Sequence, residues 1–169
     1  MIGSIVVRHA IAAACLLAAA QSRAAEAAYT LYVAGDIAWC GRGGAKWSGA
    51  EDTARVIEFG LSATPRAAVL TLGDNVYQHG TAAEYASCYA PTWGRFRART
   101  FPAPGNHEHA TPGAAGYFAY FGQVAGPGYY SVQLGAWHVI SLDSNLEGAA
   151  QAAQLAWLKG DLEANGARC

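Results

Sequence analysis

Ala67-Ala68-Val69-Leu70-Thr71-Leu72-Gly73-Asp74-Asn75-Val76-Tyr77 is the stretch on which the fold turns. Its first six residues carry no charge and have the length and aliphatic content of a buried strand. Gly73 lets the chain turn sharply off the strand end without a Cβ clash. Asp74 then projects a short carboxylate into the mouth of whatever sheet the strand joins. The same arrangement occurs twice more. Tyr29-Thr30-Leu31-Tyr32-Val33-Ala34 is a β-rich run ending at Gly35-Asp36, and the extended segment Phe101-Pro102-Ala103-Pro104 carries Gly105-Asn106-His107-Glu108. Pro102 and Pro104 lack an N–H, so this third segment is no long central strand.

Helical patterns fill the intervals. Residues 37–49 hold four glycines and read as a loop, after which Ser48 and Glu51 have the spacing of a capping box. Ala50, Ala54, Ile57 and Leu61 then share one face of a helix that Pro65 closes. Thr81 and Glu84 repeat the capping-box spacing and predict a helix from about Ala82 toward Cys88, broken at Pro91; Arg95 to Arg99 read as a basic turn. Residues 110–128, rich in Gly and aromatics, read as an ordered loop in which Tyr117 to Phe121 pack over the core. Tyr129 to Leu134 and Trp137 to Leu142 flank Gly135-Ala136 and predict a hairpin. The last element reads as a helix with Leu155, Leu158 and Leu162 on one face and Gly166 at its C-cap. Strands and helices alternating in this way predict an α/β layered domain, with one domain over residues 28–169. In open sheets of that kind, ligands gather at the carboxyl ends of strands, where all three polar motifs fall.

The bulk composition narrows the function classes. A chain of 169 residues, 53% hydrophobic and 14% charged, can bury the core of one domain. Eleven Lys plus Arg against twelve Asp plus Glu leave no polybasic surface for nucleic acid or a membrane. Phosphate-binding P-loop, Gly-x-Ser-x-Gly elbow and Cys-x-x-Cys patterns are all missing from the sequence.

Residues 1–27 read as a signal peptide. Arg8 and His9 precede the apolar run Ala10 to Ala20, and small residues at Ser22, Ala24, Ala25 and Ala27 predict cleavage after Ala24 or Ala27. The run is too short to serve as a stable membrane anchor. Lipoprotein processing at Cys15 is the weaker alternative, because Ala12-Ala13-Ala14 matches such a site poorly. A secreted or periplasmic location follows, and with it the possibility of disulfides. Cys40 with Cys88 is the expected pair, leaving Cys169 alone.

Asp36, Asp74 and Asn106 lie 38 and 32 residues apart, each beside a glycine. A lone Gly-Asp after a strand is ordinarily a turn or a cap. Three oxygen-bearing side chains delivered to one sheet mouth are a different case. Carboxylates brought together repel unless a cation lies between them, and oxygen donors suit Mg, Mn, Fe or Zn to different degrees.

On these residues the sequence resembles the calcineurin-like metallophosphoesterases. Gly35-Asp36, Gly73-Asp74-Asn75-Val76-Tyr77 and Gly105-Asn106-His107-Glu108 look like that family's first three motifs. Tyr77 three residues after Asp74, together with Tyr117-Phe118-Ala119-Tyr120-Phe121-Gly122, Leu142-Asp143-Ser144 and Gln154-Leu155-Ala156-Trp157-Leu158, resembles the purple acid phosphatase branch. The resemblance implies a partial metallophosphoesterase β-sandwich flanked by helices, and hydrolysis of phosphorylated small molecules. It implies two metal ions, Fe(III) with Fe(II), Zn(II) or Mn(II), and no nucleic-acid partner. Asp36 and Tyr77 would bind the first metal, Asp74 would bridge both, and Asn106 would bind the second. His107 would stabilise charge or protonate the leaving oxygen, and Glu108 would orient His107.

Two departures qualify the resemblance. Ala38 stands where many members carry a histidine, which favours the branch that uses Tyr77 instead. The histidines that complete the family's metal site, including a Gly-His-x-His stretch, are not in the sequence. The chain therefore reads as an incomplete fragment that binds metal weakly and has little activity. An inactive secreted binding module with a partial fold is the alternative. His79 and His109 are expected at the site mouth and His138 in a core or surface role. Asp143 is expected as structural support, and Arg95, Arg97 and Arg99 as a solvated face.

Overall fold

A computed structural model describes residues 28–41 and 49–167. The predicted signal segment, Ser48 and Cys169 lie outside the described residues. The α/β layered architecture is as expected. Strand β1 (Thr30–Ala34) pairs in parallel with β3 (Ala67–Thr71), which pairs in parallel with β5 (Thr100–Phe101). The order β1-β3-β5 puts the short, proline-followed β5 at an edge, where a missing N–H costs no ladder bond. Beyond this sheet, β2 (Ala38–Trp39), inside the stretch read as loop, runs parallel to β4 (Val76–Tyr77). The antiparallel hairpin of β6 (Tyr130–Leu134) and β7 (Trp137–Ser141) forms a second layer. Gly135, at φ 61°, takes the first central position of its two-residue turn, as a type II′ geometry requires. The Tyr130 hydroxyl donates to the Pro102 carbonyl at 2.7 Å and ties the two layers together beside β5.

Helix α1 (Ala50–Ala63) buries Ala50, Ala54, Ile57 and Leu61, the stripe read from the sequence. These join Ala67 and Val69 of β3 in the core. Its N-cap is Gly49 with no side-chain cap, so the expected cap at Ser48 falls outside the described residues. Its C-terminal end is closed by Arg99, which donates to the carbonyls of Leu61, Thr64, Pro65 and Ala67. Arg95 pairs with Glu51 and Glu58, and Arg97 lies 5.0 Å over the Tyr120 ring. Arg95 and Arg97 are exposed, as the expected solvated face, while Arg99 is a half-buried capping group.

Helix α2 (Ala82–Glu84) starts at the predicted Thr81–Glu84 capping box and continues as one π turn, Tyr85–Tyr89. Cys88 on that turn forms the expected disulfide with Cys40. Next come a 3-10 segment, Trp93–Arg99, and α3 (Asn106–His109). The stretch expected as a loop contains helix α4 (Ala115–Phe121). Its aromatic residues are core, with Tyr117 and Phe121 buried among Tyr85, Tyr89 and Tyr120. A Cβ at Gly116 would sit 2.0 Å from the Gly80 carbonyl, so α4 docks backbone against backbone on the turn before α2.

Helix α5 (Gly148–Ala164) corrects a second expectation. Leu155 and Leu162 are 56% and 53% exposed, and Gln154 is the helix's buried residue. Its C-cap is Asn165 rather than Gly166. The helix sits on the hairpin through Asp161, which accepts from Ser131 and pairs with His138 at 2.6 Å, and through Trp157, whose ring lies 5.1 Å from that of Tyr129 just before β6. Among the described residues no helix is long and apolar enough to cross a membrane.

Candidate metal and phosphate site

The ends of β1, β3 and β5 bring Asp36, Asp74 and Asn106 to one small pocket of about 150 Å3, lined also by Gly73, Gly105, Ser144 and Asn145. Asp36 and Asp74 both adopt the left-handed conformation, at φ 55° and 50°. Such backbone costs an L-residue on the order of 1–2 kcal/mol and persists only where surrounding contacts fix it. Here they do. The Asp74 amide donates to Glu108 at 3.0 Å, its carboxylate accepts from the His107 amide at 3.1 Å, and its carbonyl accepts from Ile37 at 2.9 Å. A Cβ at Gly105 would fall 2.2 Å from an Asp74 carboxylate oxygen, so only glycine lets these two loops approach.

Tyr77 draws the two carboxylates together. Its hydroxyl lies within hydrogen-bonding reach of Asp74 Oδ2 at 3.0 Å and of Asp36 Oδ1. Burial, and then the hydrogen bonds to Asp36 and Asp74, raise its pKa well above the ordinary phenol value. The phenol proton thus occupies the position where two carboxylates need positive charge. Ala38, fully buried in β2, registers with Val76 and sets β2 alongside the strand that carries Tyr77. The Tyr77–Gln78 peptide is cis.

His107 sits beside this group, its ring centroid 4.3 Å from that of Tyr77. Glu108, expected to orient His107, does something else. Its side chain is fully buried and accepts from the amides of Asp74, Asn75, Val76 and Gly105 and from the Tyr85 hydroxyl. Burial pushes the Glu108 carboxyl up, while the Gly105 and Val76 amides and the Tyr85 hydroxyl pull it back. The His107 ring is held instead by the Gln78 carbonyl, 2.7 Å from Nδ1. A carbonyl can only accept, so Nδ1 carries the proton and Nε2 is left for other work.

The remaining candidates separate. His109 Nε2 lies 2.8 Å from Asp143 Oδ2. Asp143 is buried and pinned through both backbone groups by Gln154, at 2.8 and 3.0 Å, which makes it the support expected of it. His79 is exposed, with its amide on Glu84. His138 belongs to the α5 contact, away from this group. Sequence reasoning passed over Ser144 and Asn145 as site residues; the Leu142-Asp143-Ser144 stretch held the signal.

The donors fit a hard cation: two carboxylates converging on a phenol, with an amide on the same pocket wall. Among the described residues no three His, Cys, Asp or Glu side chains converge. A family model described as calcineurin-like phosphoesterase matches residues 29–160. No curated protein matches the chain.

Proposed function

Because the chain belongs to the calcineurin-like phosphoesterase family, whose members generally use two divalent metal ions, we propose that it serves a binuclear hydrolase of phosphate monoesters, of the purple acid phosphatase branch. The observation that carries this reading is the convergence of Asp36 and Asp74 on the Tyr77 hydroxyl. Tyr77, with Ala38 buried in a strand where other members carry histidine, supports the branch. Asp36 and Tyr77 would hold the first cation, Asp74 would reach both, and Asn106 would hold the second. Four such donors do not fill two coordination spheres, and the resemblance assigns the rest to histidines. The Cys40–Cys88 disulfide supports export, as the signal-like N-terminus does.

Bound cations would neutralise phosphoryl oxygens and acidify water. The chain's own groups prepare for that. Asp36 and Asp74 provide the negative charge, and Tyr77 would supply a phenolate oxygen. Glu108 keeps the Asp74 and Gly105 loops in register, so that the carboxylates need not reorganise. His107, with Nδ1 fixed on Gln78, presents Nε2 to the leaving oxygen, where a protonated ring can donate.

Loading with excess iron tests this, the excess being needed because four donors hold the ions weakly. A tyrosinate–Fe(III) band in the visible is expected, and Tyr77→Phe should remove it. Asp74→Ala should abolish binding of the second ion, read by elemental analysis. Unchanged stoichiometry in Asp74→Ala would refute the bridging role, and a colourless iron protein would refute the branch assignment.

A further inference from the structure

The pocket has a second wall that no metal ligand occupies. It is built from Ser144 and Asn145, on the turn between β7 and α5, facing Asp36, Asp74 and Asn106 across the mouth. Resting on the phosphoesterase reading above, we propose that Ser144 and Asn145 bind the phosphoryl oxygens of the substrate, and that Asp143 is the positioning residue that sets them.

Three observations carry this. First, the turn is fixed by buried polar contacts rather than left as a surface loop. Asp143 is 1% exposed and Gln154 5% exposed. The Gln154 side chain accepts from the Asp143 amide and donates to its carbonyl, at 2.8 and 3.0 Å. A buried glutamine spending both ends on one residue's backbone sets the direction in which the next residues leave.

Second, the Asp143 carboxylate works on both sides. One oxygen takes the Asn145 amide N–H at 2.9 Å and the Asn145 side-chain amide at 3.4 Å; the other meets His109 Nε2 at 2.8 Å. His109 ends the short helix that begins at Asn106, so one carboxylate ties the two walls of the pocket together. The Asn145 side-chain nitrogen keeps one N–H that Asp143 does not use.

Third, the donors suit the ligand. The Ser144 hydroxyl makes no hydrogen bond among the described residues and is exposed on the pocket. A hydroxyl and a neutral carboxamide donate to phosphate oxygens without adding positive charge, which cations bound opposite would supply. Among the described residues this wall lines the pocket with Ser144 and Asn145 and no carboxylate, and Asp143 is buried.

The test uses the full chain loaded with metal, with inorganic phosphate as the probe and calorimetry as the readout. Metal content is measured in parallel. Asn145→Ala should weaken phosphate about tenfold and Ser144→Ala about three- to fivefold, within the range of one ordinary net hydrogen bond. Asn145→Asp, nearly the same shape, should weaken phosphate more than Asn145→Ala while metal content holds. Asn145→Asp also sets a second carboxylate against Asp143, so it is the loss in Ser144→Ala, whose hydroxyl is exposed on the pocket, that separates phosphate contact from mere support of the turn. For a hydrolysed phosphate monoester the loss should appear in KM. If Asn145→Asp and Ser144→Ala bind phosphate as the wild type does, with metal retained, the inference is overturned and the phosphoesterase reading stands. If the wild-type protein binds neither metal nor phosphate, that reading fails, and this inference with it.

Discussion

The two walls of the pocket are built by opposite means. On the first, Asp36, Asp74 and Asn106 leave strands backed by α1, which buries Ala50, Ala54, Ile57 and Leu61. Behind them the fully buried Glu108 gathers four backbone amides and a tyrosine hydroxyl. On the second, Ser144 and Asn145 lead into α5, whose buried residue is a glutamine and whose leucines at 155 and 162 face outward. Apolar burial is non-directional and stabilises in proportion to area, whereas polar pins fix direction at little net gain. The first wall is therefore inseparable from the fold's stability. The second is set in orientation without contributing much to it.

Glu108→Ala should break the first wall most severely. It strands four amides and a hydroxyl, each unsatisfied buried group costing roughly 1–3 kcal/mol. Partial solvation of the cavity keeps the expected loss near 4 kcal/mol, a large share of the ~5–15 kcal/mol typical of a domain. Urea unfolding measures it. A loss below about 1 kcal/mol would show that water replaces the carboxylate and that the loops do not depend on it.

A smaller effect sharpens the contrast between the helices. Ile57→Ala should cost about 3 kcal/mol through lost burial and the cavity left behind. Leu155→Ala, at an exposed position of similar size, should stay within about 0.5 kcal/mol. Equal losses in urea unfolding would mean that the outward face of α5 is covered in solution.

This asymmetry explains what could be read from the sequence. The three Gly-flanked motifs were legible because strand burial, a glycine turn and a short polar side chain are all local in sequence. So was the α1 stripe, whose period matches its burial. The task of Glu108 was not legible, because its amide partners at Asp74 to Val76 lie more than thirty residues away in sequence. Helix α4 was hidden by Pro112, Gly113 and a run of aromatics with middling helix propensity; tertiary packing of Tyr117 and Phe121 overrides that preference. Leu155 and Leu162 of α5, unlike the half-buried Leu158, misled for the opposite reason. Periodicity marks an apolar stripe without saying that anything lies against it, and here Asp161 and Gln154 set the docked face.

The least of the effects acts on those pins and has a defined sign. The Ser131 hydroxyl and then the His138 ring hold the Asp161 carboxyl below its ordinary range. A carboxyl depressed in the folded state contributes stability that is fully present above its unfolded pKa, about 3.9. That contribution is lost as pH falls through the lower folded value. Acid should therefore loosen α5 from the hairpin. On α1 it also weakens the pair of Glu51 with Arg95, whose guanidinium holds that carboxyl low. It leaves the apolar core contacts, which carry no charge, so α1 should keep its protection longer. Asp161→Asn keeps the shape and removes the titration, so its stability should vary less with pH below about 4 than that of the wild type. Amide exchange of α5 and α1, followed from pH 5 to pH 3, measures both. If the two helices lose protection together in the wild type, the second wall is no more detachable than the first.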